Sequence, residues 1–257
     1  YRAALQLYQY ITVNNISDER MRIADCQHGL GDYNESIELL NSIIDKSHHV
    51  HFSLGNAYNN TGQHEKAELC FLQALLIEYS NSSVEPLTDY YGNPLTTDCD
   101  IADNMDLMRA ATHITPDMIA CLISLGDVYR VQKKHSTAEA YYMKSLQFIH
   151  DLYGEGAAVH DAATTLNTLA INYVDMKRYN KAEDYYLQAL SMYRQISQGA
   201  DSMEIANTLN NLANNCRHME QYNKAEKYYL RALSLYRQIS QGADSVNIAN
   251  TLNSFAN

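Results

Sequence analysis

The sequence predicts an all-α fold, a right-handed solenoid built from antiparallel pairs of helices. Internal repetition is the first observation: residues 165–207 and 208–250 are identical at 31 of 43 positions. Such a period is typical of units that bury their apolar faces against their neighbours. The second observation is helical spacing of the apolar residues within each unit. Third, the 257 residues include only 3 prolines and 10 glycines, too few for the turns of a β-sandwich or barrel.

Residues 165–197 show how one unit divides into two helices. A first apolar stripe follows the spacing i, i+3, i+4, i+7 and consists of Leu166, Leu169, Ala170 and Tyr173. After a polar break at 175–178, a second stripe contains Tyr179, Ala182, Tyr186, Ala189 and Leu190. Each stripe is one face of an amphipathic helix, so each unit is predicted to be a helix, a short turn and a second helix.

This arrangement of small residues, aromatics and alanines resembles the tetratricopeptide repeat. The same pattern recurs at 51–58 (HFSLGNAY), followed by Gly62, His64, Ala67, Phe71 and Ala74, and again at Leu122, Leu125, Gly126, Tyr129, Ala138, Tyr142 and Ser145. The TLNNLA opening and the YRQISQGAD ending look most similar to the repeats of kinesin light chains and nephrocystin-3-like proteins. The resemblance implies one right-handed superhelix with a concave groove lined by the first helix of each pair.

The whole chain, 1–257, is predicted to be a single solenoid fragment of a longer protein. Small-residue anchors mark the successive first helices at Ala24, Gly55, Gly126, Ala170, Ala213 and Ala256. They predict a half-unit at 1–15, repeats at about 17–46, 48–78, 118–150, 162–197 and 205–240, and a half-unit at 248–257.

An acidic insertion at 80–116 interrupts this period. It contains all three prolines of the chain, Pro86, Pro94 and Pro116, and six acidic residues against a single Arg109. Concentrated proline indicates interrupted helix. The insertion is therefore predicted either to pack as a short helix capped by Asp100 or to be a disordered linker.

Charge and composition exclude several classes of function. The net charge of −11 and the pI of about 5.3 disfavour nucleic-acid binding, which needs clustered Lys and Arg. No apolar run approaches the roughly 20 residues that cross a bilayer, so no membrane contact is expected. Five cysteines without a CxxC pair predict reduced thiols and a cytoplasmic protein.

Catalytic, cofactor and metal sites are all predicted to be absent. The sequence contains no nucleophile elbow, phosphate loop or HExxH string, so no enzyme activity is expected. His48, His49 and His51 are close in sequence, but adjacent histidines diverge on a helix, and a polar helix start is the preferred interpretation. The aspartates of 98–106 lack the glycine and the distal glutamate of a calcium loop, which favours a solvated acidic linker.

The best functional signal is the face of each first helix that is opposite the core. Its candidate peptide-binding residues are Asn56, Asn59, Asp127, Arg130, Asn167, Asn207, Asn210, Asn214, Arg217, Asn253 and Asn257. We name this set the stripe. An asparagine offers both a donor and an acceptor to the backbone of an extended peptide. Alternatively, near-identical repeats copy a neutral asparagine as faithfully as a useful one.

The sequence therefore predicts a non-catalytic scaffold that binds an extended peptide or a partner protein in its groove. The alternative is the interaction arm of a larger enzyme, a signalling NTPase or a transferase, with its catalytic domain outside this sequence. Kinesin light chains, the resemblance implies, use basic groove residues to bind acidic cargo, whereas this stripe is mostly neutral. The identity of the partner and the oligomeric state are left open.

Overall fold

A computed structural model describes residues 17–43, 47–82, 114–240 and 246–256. These ranges contain α-helices and turns and no strand, which confirms the predicted all-α class. The helices are α1 Ser17–Leu30, α2 Tyr33–Asn41, α3 His48–Asn60, α4 His64–Ser82, α5 Pro116–Val131, α6 His135–Tyr153, α7 His160–Asp175, α8 Tyr179–Ile196, α9 Met203–His218, α10 Tyr222–Ile239 and α11 Val246–Ala256. The predicted half-unit 1–15 and the stripe residue Asn257 lie outside the described residues.

The chain divides into two compact units, residues 1–134 and 135–257. In the first unit α1 packs on α2, α2 on α3, α3 on α4 and α4 on α5. The second unit continues in the same way from α6 to α11, each helix contacting the next along the chain. Within each unit alternate helices also touch, α1 with α3, α3 with α5 and α7 with α9. Contacts restricted to neighbours are typical of a solenoid.

The turn inside each helix pair uses one left-handed residue at an equivalent position. These residues are Gly31, Gly62, Lys133, Lys177 and Glu220, with φ between 58° and 86°. The turn closes with a backbone hydrogen bond that reaches back to the preceding helix, such as Arg178 N to Tyr173 O at 2.8 Å. This is the bonding of a Schellman C-cap, which normally prefers glycine. The last three turns therefore hold an ordinary residue in a strained conformation.

Small residues allow the paired helices to approach closely. A Cβ atom added to Gly55 of α3 would lie 2.7 Å from the Phe71 ring of α4, so this position accepts only glycine without movement of the ring. In the second unit Ala213 and Ala225 pack with the buried ring of Tyr229. The predicted apolar face of the first helix, from Leu166 to Tyr173, is buried as expected. The apolar face of the second helix is buried too, except for Tyr179, which is half-buried.

The helices that flank the acidic insertion contact each other directly. α4 continues to Ser82, and α5 begins with Pro116 at its first position. The Thr115 side chain caps α5 by accepting a hydrogen bond from Met118 N at 3.2 Å. Because α4 packs on α5, the stack continues from one side of the insertion to the other. Residues 83–113, including the proposed cap Asp100, lie outside the described residues.

No helix in the described ranges has the combination of length and apolar character that crossing a membrane requires. The four cysteines that the structure describes, Cys26, Cys70, Cys121 and Cys216, are buried free thiols.

Candidate functional site

The stripe residues lie on the first helix of successive helix pairs, in both units. In the first unit Asn56 and Asn59 lie on α3, and Asp127 and Arg130 lie on α5. The second unit holds five more on α7 and α9: Asn167, Asn207, Asn210, Asn214 and Arg217. Asn253 lies on α11, but its side chain is outside the described part of the structure.

Asn167 and Asn210 each present an unused hydrogen-bond acceptor. They occupy equivalent positions on α7 and α9, two helices that contact each other. Both residues are half-buried. Each Oδ1 atom is itself buried and accepts no hydrogen bond from the described residues. An acceptor left unpaired in this way costs about 1–3 kcal/mol, and an N–H donor from outside can reach it only if the asparagine side chain or its neighbours move.

Asn207 and Asn214 have a different role, because the side-chain oxygen of each accepts a hydrogen bond from a tyrosine hydroxyl of α10. Tyr236 donates to Asn207 Oδ1 at 2.6 Å, and Tyr229 donates to Asn214 Oδ1 at 2.6 Å. Both tyrosine rings are buried, and burial raises the pKa of Tyr236 to about 12. The two asparagines therefore hold α10 against α9, a structural role that the sequence did not reveal.

The charged stripe residues are also engaged within the fold. Arg217 bonds to Tyr229 and lowers the pKa of its hydroxyl, although the larger effect of burial leaves that pKa raised. In the first unit Arg130 Nε lies 4.0 Å from Asp127 Oδ1, one helical turn away. Asn59 Oδ1 lies 3.0 Å from His64 Nδ1, across the turn between α3 and α4. The polar groups of the stripe that have no partner of this kind are therefore mostly the neutral amides of asparagines.

Two buried asparagines next to the stripe connect successive repeats, a role that the sequence pattern did not predict. Asn172 Nδ2 donates to the carbonyl oxygen of His135 at 3.0 Å, so it ties α7 to α6. Asn215 Nδ2 donates to the carbonyl oxygen of Tyr179 at 2.9 Å and ties α9 to α8. Both side chains are fully buried. Their recurrence 43 residues apart, two positions after the anchors Ala170 and Ala213, was the signal that could have found them.

A tyrosine–glutamate bond is the second connection between repeats. Tyr129 donates to Glu68 at 2.7 Å in the first unit, and Tyr173 donates to Glu139 at 2.6 Å in the second. Burial and the Glu139 carboxylate together raise the pKa of Tyr173. In the next repeat Cys216 of α9 stands where Tyr173 stands in α7, so no hydroxyl is available for this bond. The equivalent glutamate, Glu183, pairs with Lys224 instead.

The three neighbouring histidines do not form a site of their own. His48 is buried, His49 is exposed and His51 is half-buried. The imidazole of His48 lies instead between two carboxylates, those of Glu78 and Asp117.

Two cavities open at the turns rather than along the stripe. One of about 580 Å³ is lined by residues 62–66 of the α3–α4 turn together with Glu68, Gln132 and Lys134. The other, of about 450 Å³, is lined by residues 177–181 of the α7–α8 turn and by Met219. No stripe residue lines either cavity.

Helix pairs stacked through such contacts define a tetratricopeptide-type repeat protein. Sequence profiles described as tetratricopeptide repeat match residues 117–195 and 204–257, more than half of the chain, and a second profile of the same description matches 48–81. The chain belongs to the tetratricopeptide repeat family. The predicted family is confirmed.

Solved structures share this fold at low sequence identity. BtubC (BKLC) from P. vanneervenii is similar with a TM-score of 0.61 at 18% identity, over 95% of this chain and 91% of that chain. Kinesin light chain-like TPR repeats from Podosopora anserina give 0.59 at 13% identity, over 86% and 95%. A Rap protein complexed with Competence and Sporulation Factor gives 0.67 at 11% identity, over 98% and 66%.

One human protein is similar in sequence over part of the chain. Protein O-mannosyl-transferase TMTC1 from Homo sapiens is 25% identical over 157 residues, which are 59% of this chain. The chain spans 18% of the length of that transferase.

Proposed function

We propose that the chain is a non-catalytic scaffold that binds an extended segment of a partner protein along the stripe. The observation that carries this proposal is the pair of unused buried acceptors, Asn167 Oδ1 and Asn210 Oδ1. They recur at the repeat period on two helices in contact. A partner that supplies an N–H to each oxygen, once the asparagine side chain has turned towards the groove, removes an unfavourable feature of the free protein.

The chemistry favours recognition of a peptide backbone rather than a particular side chain. A neutral amide oxygen accepts from any backbone N–H, and an extended peptide presents such groups at regular intervals. The charged neighbours Arg217 and Arg130 already interact with Tyr229 and Asp127. The binding is therefore proposed to depend mainly on neutral hydrogen bonds, with little dependence on salt.

The family and one structural neighbour support a binding role. The Rap protein was solved with Competence and Sporulation Factor bound, so in that protein the same fold accompanies a bound partner. At 11% identity this likeness concerns the fold alone. The buried free thiols of this chain are consistent with a reducing compartment, and the proposal includes a cytoplasmic location.

The test begins with identification of a partner segment by pull-down and cross-linking with the full chain. A peptide of that segment is then titrated against wild type and the double variant Asn167→Ala/Asn210→Ala at two salt concentrations. We expect weaker binding by about 0.5–1.5 kcal/mol for each lost bond, similar at both concentrations.

Asn180 and Asn223 provide a matched control. They are exposed asparagines on the second helices, also 43 residues apart. Asn180→Ala/Asn223→Ala should bind like wild type. If both double variants bind like wild type, the stripe is not the binding surface and its asparagines are copied bystanders.

A second candidate is the interaction arm of a larger enzyme. The similarity to Protein O-mannosyl-transferase TMTC1 favours this possibility, because the match covers only a small part of that protein. The full-length transcript distinguishes the two candidates: a catalytic domain joined to these repeats supports the arm, and repeats alone support the free scaffold. The peptide titration applies in either case.

A further inference from the structure

Three potential metal ligands from three helices of the first unit converge on one point. His48 is the first residue of α3, Glu78 lies near the end of α4, and Asp117 lies in the first turn of α5. His48 Nδ1 is 3.2 Å from Glu78 Oε1, and His48 Nε2 is 3.8 Å from Asp117 Oδ2. One ligand atom from each residue lies within 4.8 Å of the other two.

The surroundings hold this cluster in place and leave one side accessible. The side chains of His48 and Glu78 are 8% and 13% exposed, whereas that of Asp117 is 50% exposed. Thr115 donates a hydrogen bond to Glu78 Oε2 at 3.0 Å, which orients the carboxylate and leaves Oε1 beside the imidazole. Ligand carboxylates at metal sites are commonly oriented by outer hydrogen bonds of this kind.

We propose that His48, Glu78 and Asp117 bind a divalent first-row transition-metal ion, with Zn²⁺ as the best match. One imidazole nitrogen and two carboxylate oxygens are a ligand set that zinc accepts, with water at the fourth position. Tetrahedral ligands about 2.0–2.2 Å from zinc lie roughly 3.4 Å apart. His48 Nδ1 is already 3.2 Å from Glu78 Oε1. The 3.8 Å to Asp117 is measured from the other ring nitrogen, so the half-exposed Asp117 side chain must move to bring its oxygen, now within 4.8 Å of the other two ligand atoms, to this spacing.

The position of the site gives the ion a structural consequence. Glu78 and Asp117 belong to α4 and α5, the helices on either side of the acidic insertion. An ion shared by them and by His48 cross-links three successive helices of the first unit. Because the unfolded chain does not bring these residues together, binding should raise the stability of the folded unit. The sequence pointed to adjacent histidines and predicted no metal, since both carboxylates lie far from His48 along the chain.

The test uses the full chain without a histidine tag, in reduced form and after removal of metal with a chelator. Zn²⁺ is titrated by calorimetry, and the melting temperature is measured with and without the ion. We expect one Zn²⁺ per chain and a higher melting temperature in its presence. Asp117→Asn and Glu78→Gln preserve size and should weaken binding at least tenfold. Metal-free Asp117→Asn should melt close to wild type, because Asp117 is half exposed, whereas metal-free Glu78→Gln is compared with its own baseline, because it loses the carboxylate contact with the buried His48.

His150→Ala is the control, because His150 and Asp151 form an exposed histidine–carboxylate pair with 3.1 Å between Nδ1 and Oδ1. This variant should bind Zn²⁺ like wild type. Absence of stoichiometric binding to wild type would overturn the proposal and leave the cluster as contacts of a histidine with two carboxylates. Equal binding by wild type and both carboxylate variants would overturn it as well, because the ion would then bind elsewhere.

Discussion

Asn172 has a hydrogen bond with the His135 ring and a 4.0 Å contact with Met176 Sδ that Asn215 lacks. We predict that the same substitution has unequal effects at the two positions. Each donates from Nδ2 to a backbone carbonyl of the preceding repeat. Asn172 Oδ1 also lies 2.9 Å from His135 Nδ1. Asn215 Oδ1 is buried and has no partner in the described ranges, because Tyr179 occupies the position of the histidine. The near-identical repeats thus contain a natural comparison.

The expected magnitudes follow from these contacts. A neutral hydrogen bond contributes about 0.5–1.5 kcal/mol to stability. Asn215→Ala removes one bond together with an unpaired oxygen, so we expect a loss of roughly 1 kcal/mol. Asn172→Ala removes two bonds to His135 and a long contact with Met176 Sδ and leaves the His135 nitrogen without its acceptor, so we expect about 2–3 kcal/mol. The cavity created by the substitution is similar in both cases and does not alter the difference.

Urea unfolding of the full chain measures both losses, and double-mutant cycles isolate the extra bond. His135→Ala leaves the backbone carbonyl in place, so its coupling with Asn172→Ala reports only the contact between ring and amide. We expect a coupling of about 0.5–1.5 kcal/mol. The cycle of Tyr179→Ala with Asn215→Ala should give a coupling near zero, because that bond uses the tyrosine backbone. Equal losses and equal couplings in the two repeats would refute this reasoning.

Four further predictions concern packing, turns, pH and the insertion. Ala225→Leu should overpack the α9–α10 contact and cost roughly 1–3 kcal/mol, seen as a lower melting temperature; an unchanged value would contradict the helical register. Lys177→Gly should stabilise the chain by roughly 0.5–1 kcal/mol in urea unfolding, because glycine relieves the left-handed strain; a loss of stability would argue against that strain. The folded pKa of Tyr236, about 12, exceeds its ordinary value of 10.0, so its contribution is complete below pH 10 and is lost as the pH rises towards 12. Tyr236→Phe should therefore flatten the alkaline decline in unfolding free energy, by up to about 1.4 kcal/mol per pH unit; the same slope in both proteins would argue against a shifted phenol. Deletion of 83–113 with a short Gly/Ser bridge should preserve helical circular dichroism per residue, because the flanking helices already pack together; unfolding would mean that the segment is a packed element.

The helix pairs could be predicted from the sequence because their physical cause is local and repeated. Leu169, Ala170 and Tyr173 share one face of a helix, and that face is buried in the structure as the spacing predicted. The bonds between repeats could not be predicted in the same way. Their partners lie 36 or 37 residues apart, and the partner changes from His135 to Tyr179 while the asparagine is kept. A repeat period shows that a residue recurs, but it does not show which neighbour it meets.

The same limit explains why the asparagines of the stripe have two different roles. Asn210 and Asn214 lie one helical turn apart on one face of α9, so the pattern treats them alike. A hydroxyl on α10 reaches only the second of them: Tyr229 donates to Asn214, whereas Asn210 Oδ1 receives no bond from the described residues. In the preceding repeat Ile171 stands where Asn214 stands, so the bond to tyrosine is dispensable for the helix pair, while the acceptor of Asn167 and Asn210 is kept in both repeats. An amide oxygen has two lone pairs, and the buried hydroxyl already uses one of those of Asn214, so its oxygen gains less from a peptide N–H than an unpaired oxygen does. Asn167 Oδ1 and Asn210 Oδ1 accept no bond from the described residues, and recognition of a backbone along this stripe should therefore depend on them before Asn207 or Asn214.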